Sequence, residues 1–137
     1  HDLIEFEITE SAFAVDNIHL NQLMEQLQKN HFRVLMDDFG SGYSSLSSLN
    51  VMHFDTIKLD KSLIDYIGDS NGEKLLHSIT HLAQSLGMNI TAEGVETAKQ
   101  VEFLKVEHCT DIQGYYFSKP LPVEQFVQFM KEHGEAR

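Results

Sequence analysis

The chain has 137 residues and an apolar fraction of 42%, which suffices for one folded domain with a core of its own. Its formal net charge of −11 argues against a basic surface that would bind a nucleic-acid polymer or an anionic membrane. Cys109 is the only cysteine, which excludes an internal disulfide, and we expect it to be a structural thiol. With no run of 18 apolar residues and no signal-peptide pattern, the segment is expected to be soluble and cytoplasmic, although a longer parent could be membrane-anchored.

Short apolar runs alternate with amphipathic stretches along the chain. In chain order, the patterns predict a strand at 3–7, a helix around 20–27, strands at 33–37 and 56–59, a helix around 75–86, a strand at 89–92, a helix at 97–104, a strand at 112–117 and a helix around 123–130. Thr97 and Gln100 form a capping-box pattern, and Gly134 follows the last helix. This alternation predicts a mostly parallel α/β sheet, either open or part of a (β/α)₈ barrel.

Polar residues lie at the carboxyl end of every predicted strand, which favours the barrel, because a barrel gathers its active site there. They are Glu7 and Glu10, Asp37 and Asp38, Lys58 and Asp60, Glu93 and Glu96, and Gln113. Converging carboxylates repel one another unless cations or shifted pKa values relieve the repulsion. Lys58 supplies one positive charge, and Mg²⁺ or Mn²⁺ ions, which prefer carboxylate oxygens, would supply the rest. Two such ions would suit an attack on phosphorus.

Five segments carry these residues in a specific pattern, at residues 7–10, 37–45, 57–60, 92–97 and 111–115, followed by residues 117–122. In order and spacing they resemble the EAL domain family of bacterial cyclic di-GMP phosphodiesterases. The resemblance implies a (β/α)₈ TIM-type barrel with one antiparallel strand. It also implies hydrolysis of cyclic di-GMP to linear pGpG in second-messenger signalling, with two Mg²⁺ or Mn²⁺ ions as cofactors.

The resemblance further implies a role for each residue at the centre of the site. Glu7 would be a metal ligand, and Asp37 would bridge the two ions. Asp38 would hold the second ion and contribute to catalysis. Lys58 would position the attacking water, and Glu93 would be the general base or a ligand of the second ion.

Supporting roles follow from the same resemblance. Asp60 and Glu96 would support the site, and Gln113 would lie at the rim of the substrate site. Glu10 would anchor the loop that couples metal binding to dimerisation. The loop residues are Phe39, Gly40, Ser41, Gly42, Tyr43 and Ser44.

Two features of the family are absent from these 137 residues. The sequence contains neither the Glu-Ala-Leu motif of the first strand nor the Asn ligand of an intermediate strand. A full barrel takes roughly 250 residues. We therefore expect about five C-terminal βα units of one truncated EAL domain, with weak or no hydrolysis by this chain alone. Exposed barrel edges predict a homodimer or higher self-association.

A second interpretation is a catalytically inactive EAL-type module that binds cyclic di-GMP or a protein partner. Every strand-end acid of this segment is present, which favours the enzyme as the parent domain. A purely structural interaction domain would leave the cluster of acids unexplained.

Two further patterns have structural explanations, and a third is given no role. His77 and His81 have a spacing that can bind zinc, but they lie off the apolar stripe of their helix and are expected in solvent. Phe126 and Met130 fit the apolar stripe of the last helix and are expected to pack in the core. Stacking of guanine on residues 115–117 is left unassigned.

Overall fold

Five parallel strands in sequential order form the centre of the structure, a computed structural model that describes residues 4–9, 12, 17–40 and 53–134. The strands are β1 (Glu5–Thr9), β2 (Arg33–Phe39), β3 (Thr56–Leu59), β4 (Asn89–Ala92) and β5 (Asp111–Ile112). The helices are α1 (Asn17–Lys29), α2 (Lys61–Ile64), α3 (Ser70–Ser85), α4 (Ala98–Val106) and α5 (Val123–His133). Each strand pairs in parallel with the next strand of the sequence, as in the wall of a (β/α) barrel. The predicted fold class, a partial barrel, is confirmed.

The core lies on both faces of β3, the middle strand of the described sheet. All four of its residues are buried, and Ile57 is paired with Met36 on one side and with Ile90 on the other. Leu76 and Ala83 of α3 add fully buried apolar side chains. Each large apolar side chain buried in this way contributes about 1.5–3 kcal/mol. A central strand held on both sides and both faces is a rigid place for a functional side chain.

The strand bounds agree with the sequence patterns for β3 and β4 and differ for β1, β2 and β5. β3 and β4 have the predicted bounds. β1 is shifted by two residues, because its register with β2 runs from Glu5 opposite Arg33 to Thr9 opposite Asp37. β2 extends two residues further, to Phe39, through an irregularity in its pairing with β3.

β5 ends after two residues, where the pattern predicted six. The chain turns at residues 114–117, and the Tyr116 N–H donates to the carbonyl oxygen of Val95. Gly114 lies so close to Val95 that a Cβ at this position would overlap the Val95 backbone. This contact with the loop after β4 ends the strand, so the prediction of a strand over residues 112–117 was wrong.

The capping box at the start of α4 is confirmed. Thr97 Oγ1 accepts from the Gln100 N–H at 3.2 Å, and Gln100 Oε1 accepts from the Thr97 N–H at 3.0 Å. On α3, Leu75 is 48% exposed while Thr80 is buried, so the buried face of this helix is not purely apolar. Along the described helices, none is long and apolar enough to cross a membrane.

α5 forms at the predicted place, but described residues cover its apolar stripe only in part. None of its residues is buried, and Phe126 and Met130 are 53% and 49% exposed. The expectation that these two side chains pack in the core was wrong. Periodicity shows which face of a helix is apolar, but it does not show how completely that face is buried.

Candidate metal and phosphodiester site

The Lys58 ammonium lies among three carboxylates at the C-terminal edge of the sheet. Its Nζ is 2.7 Å from Glu7 Oε1, 3.0 Å from Asp37 Oδ1 and 3.1 Å from Glu93 Oε1. The four residues come from β1, β2, β3 and the position after β4, so the sheet register brings together groups up to 86 positions apart. The structure therefore unites Glu7, Asp37, Lys58 and Glu93, as the strand-end pattern predicted.

The charge state of Lys58 follows from this environment. Its side chain is only 10% exposed, and this burial alone would lower its pKa. The contacts with Glu7, Asp37 and Glu93 outweigh burial, so the pKa of Lys58 is raised above the ordinary lysine value. One ammonium against three carboxylates leaves a formal charge of −2 at the site. This excess favours a further cation.

One carboxylate oxygen of the site lacks a hydrogen bond. Asp37 Oδ1 is buried and accepts no hydrogen bond, although the Lys58 Nζ is 3.0 Å away. The contact between Lys58 and Asp37 is an ion pair that does not have the geometry of a hydrogen bond, whereas Lys58 Nζ donates a hydrogen bond to Glu7 Oε1. A buried carboxylate oxygen that accepts no hydrogen bond is available to a further cation.

The donor set fits a hard divalent ion in part. All three acids offer oxygen, which Mg²⁺, Mn²⁺ and Ca²⁺ prefer. Within residues 4–9, 12, 17–40 and 53–134, however, no three acidic, histidine or cysteine side chains converge closely enough to hold an ion. The described residues therefore make up only part of a ligand set.

Asp38 does not join the Lys58 cluster, although it adjoins Asp37. It has a φ of +57° within the irregular part of β2, and its side chain is exposed. Its predicted part in catalysis and in holding a second ion stays a prediction.

Among the described contacts, none joins Lys58 to the residues predicted to support the site. Asp60 caps α2, where its Oδ1 accepts from the Ser62 N–H at 2.9 Å, and this bond lowers the pKa of Asp60. Glu96 forms a half-exposed ion pair with Lys61 at 3.3 Å. Gln113 is exposed and lines a cavity of about 290 Å³ beside α5.

Much of the predicted loop lies outside the described residues, namely Ser41, Gly42, Tyr43 and Ser44, and so does Glu10. Two members of the loop are described. Phe39 is a core residue at the end of β2, with 3% exposure. Gly40 has a φ of +97° and lies against Leu63, where a Cβ would overlap the leucine side chain.

Lys61 was not singled out in the sequence, yet it links two of the loops at the site. Its Nζ lies 3.0 Å from Asp65 and 3.3 Å from Glu96, which joins the start of α2 to the loop after β4. The i, i+4 spacing of Lys61 and Asp65 was a usable signal. The contact with Glu96 depends on the fold.

The remaining side chains singled out in the sequence have structural explanations. His77 is 65% exposed, as expected, and its Nδ1 lies 2.9 Å from Glu107 Oε2, while the His81 ring stacks on it at 6.0 Å. Cys109 packs against the core, and burial raises the pKa of its thiol to about 12. This agrees with a structural thiol. Tyr115, like its two aromatic neighbours, is exposed.

Comparison with known proteins identifies the family. The sequence model of the EAL domain matches residues 1–120. The chain belongs to the EAL domain family. A curated EAL relative, cyclic di-GMP phosphodiesterase NbdA of Pseudomonas aeruginosa, is 37% identical over 131 residues, which are 95% of this chain and 17% of NbdA.

Solved EAL structures share the fold. The PaMucR phosphodiesterase in complex with cyclic di-GMP is 36% identical with a TM-score of 0.78, over 88% of this chain and 49% of that one. BlrP1 of Klebsiella pneumoniae, solved with manganese and cyclic di-GMP, is 30% identical with a TM-score of 0.79, over 87% and 30%. BlrP1 is also solved with calcium and cyclic di-GMP. This chain thus spans half or less of the length of these EAL proteins.

Proposed function

We propose that this chain supplies five strands and part of the metal site of an EAL domain that hydrolyses cyclic di-GMP to linear pGpG. The observation that carries the proposal is the cluster of Glu7, Asp37 and Glu93 around the buried Lys58 ammonium. Membership of the EAL family and the cyclic di-GMP complexes of its solved relatives support the same substrate.

Asp37, Glu7 and Glu93 would supply part of the ligand set for divalent ions. Asp37 has a buried oxygen without a hydrogen bond, and the other two have carboxylates within 3.1 Å of the same ammonium. When bound, Mg²⁺ or Mn²⁺ would neutralise phosphate charge and lower the pKa of a water molecule. Because the site has a formal charge of −2 without ions, an anionic phosphodiester should bind only in their presence.

The residues of the chain have separate tasks in this proposal. Lys58 holds Glu7 and Glu93 in place from a buried strand and remains an ammonium at neutral pH, where it can position the attacking water. Glu93 is 23% exposed, so water reaches it, and it can take a proton from an attacking water. Asp60 and Lys61 fix the loop that follows Lys58.

A hydrolysis assay tests the proposal. The 137-residue chain is incubated with cyclic di-GMP and Mn²⁺, and the products are separated by chromatography. We expect slow formation of linear pGpG, because two ligands of the family are absent from the sequence. Asp37→Asn should reduce the rate at least tenfold, whereas Glu102→Gln, which removes an exposed acid on α4, should leave it unchanged.

Two outcomes would overturn the proposal. Turnover that is equal in the wild type and in Asp37→Asn would place the reaction elsewhere. Mn²⁺-dependent binding of cyclic di-GMP without any turnover would instead favour the inactive receptor as the role of this chain.

A further inference from the structure

The distances around Lys58 are those of an ammonium site. The three oxygens lie 2.7, 3.0 and 3.1 Å from Nζ, which are ordinary lengths for N–H···O contacts. Oxygens bound to Mg²⁺ lie about 2.0–2.1 Å from the ion, and those bound to Ca²⁺ about 2.3–2.6 Å. The three carboxylates are therefore spaced around the nitrogen more widely than any of these ions requires.

Lys58 cannot easily leave this position. Its backbone is fixed in β3, opposite Thr91 of β4, and its side chain is 10% exposed. Its three contacts are unequal, however. The Glu7 contact is a directed hydrogen bond at 2.7 Å, whereas the Asp37 contact leaves Oδ1 without a hydrogen bond. Lys58 thus holds Glu7 more firmly than Asp37 or Glu93, and of these two only Asp37 presents a buried oxygen without a hydrogen bond.

We propose that Lys58 and a divalent ion compete for these carboxylates, and that metal binding takes Asp37 away from Lys58 while the hydrogen bond to Glu7 is kept. The inference rests on the proposed function for the identity of the metal site. Lys58 then has two effects. It keeps the metal-free chain folded by neutralising the acids, and it weakens metal binding by occupying their oxygens.

Thermal unfolding without any nucleotide tests the competition. Mn²⁺ is titrated into the wild type, into Lys58→Met and into the control Lys105→Met, which removes an equal charge from an exposed position on α4. We expect Lys58→Met to have the lowest Tm without metal and the largest rise in Tm with Mn²⁺. Its half-saturating Mn²⁺ concentration should be at least tenfold below that of the wild type and of the control.

If Mn²⁺ raises the Tm of Lys58→Met by no more than that of the wild type, the inference is overturned, because Lys58 would then either assist metal binding or have no effect on it. If Lys58→Met fails to fold without metal, a measurement on the wild type tests the inference instead. In ¹⁵N spectra of the lysine ammonium groups, the Lys58 signal should shift as Mg²⁺ is added, and a signal unchanged at saturating Mg²⁺ would overturn the inference. Neither measurement uses cyclic di-GMP, so a failure of hydrolysis is a separate result.

Discussion

At the scale of single residues, one buried ammonium connects three acids that lie far apart in the sequence. Glu7, Asp37 and Glu93 contact Lys58 within 3.1 Å, and only Glu7 is as much as half exposed. Removing one partner of a fully buried ion pair costs roughly 3–5 kcal/mol, and solvent around Glu7 reduces that figure.

We therefore expect Lys58→Met to lower the free energy of unfolding in metal-free buffer by about 2 kcal/mol. Because the pKa of Lys58 is raised in the folded state, its stabilising effect is fully present below the ordinary lysine pKa of 10.5. The effect is lost only as pH rises through the higher folded-state pKa. Urea unfolding of both proteins should give a constant difference from pH 7 to about pH 10 and a smaller one above. A difference that shrinks below pH 9 would contradict this account.

Asp60 illustrates how a strand-end acid can be explained by local structure. Its side chain accepts from the Ser62 N–H and caps α2. Asp60→Ala should cost about 1 kcal/mol in urea unfolding, whereas Asp60→Asn, an equally good cap, should cost close to nothing at pH 7.

The pKa of Asp60 is lowered by the same bond. The contribution of the carboxylate is therefore present above its ordinary pKa of 3.8 and is lost as pH falls through the folded-state value. Asp60→Asn should consequently lose less stability than the wild type below about pH 4. Equal acid sensitivity of the two proteins would contradict the assignment.

At the scale of elements, the patterns identified the buried strands well. β3 and β4 are short apolar runs between polar residues, and their bounds are as predicted. β5 could not be bounded in this way, because the aromatic run after Gly114 continues a strand pattern that the contact with Val95 ends. The same limit applies to Asp38, whose exposure depends on how β2 pairs with β3.

α5 shows that a helical pattern predicts a helix but does not identify its partner. Its stripe is exposed, in contrast with Leu76 of α3, which has 0% exposure. We expect Phe126→Ser to change the free energy of unfolding by less than about 0.5 kcal/mol, and Leu76→Ala to lower it by about 2–5 kcal/mol. Chemical denaturation at low protein concentration measures both. A large cost for Phe126→Ser would show that another surface covers α5.

At the scale of the whole molecule, apolar side chains remain exposed at one margin of the sheet. β1 is an outer strand of the described sheet; Ile4, just before it, is 56% exposed, and Phe6, within it, is 39% exposed. Such a margin favours pairing with another copy, while the net charge of −11 opposes it. We expect sedimentation at tens of micromolar to show a dimer or larger species that increases with salt, because salt screens the repulsion. A monomer at every salt concentration would contradict this prediction.

The grouping of the site residues was predictable, because parallel strands bring their C-terminal residues to the same edge of the sheet. That rule placed Glu7, Asp37, Lys58 and Glu93 together from a sequence pattern alone. The same rule does not distinguish these residues from Asp60, whose side chain caps α2, the helix that begins at the next residue.

The most direct test of the account is a titration of cyclic di-GMP in Ca²⁺ by calorimetry, for the wild type, Asp37→Asn and the control Glu102→Gln. The account predicts that the wild type and the control bind only when Ca²⁺ is present, and that Asp37→Asn binds at least tenfold more weakly. Binding that needs no divalent ion, or that is equally tight in Asp37→Asn, would show that the nucleotide is not held at the Lys58 cluster.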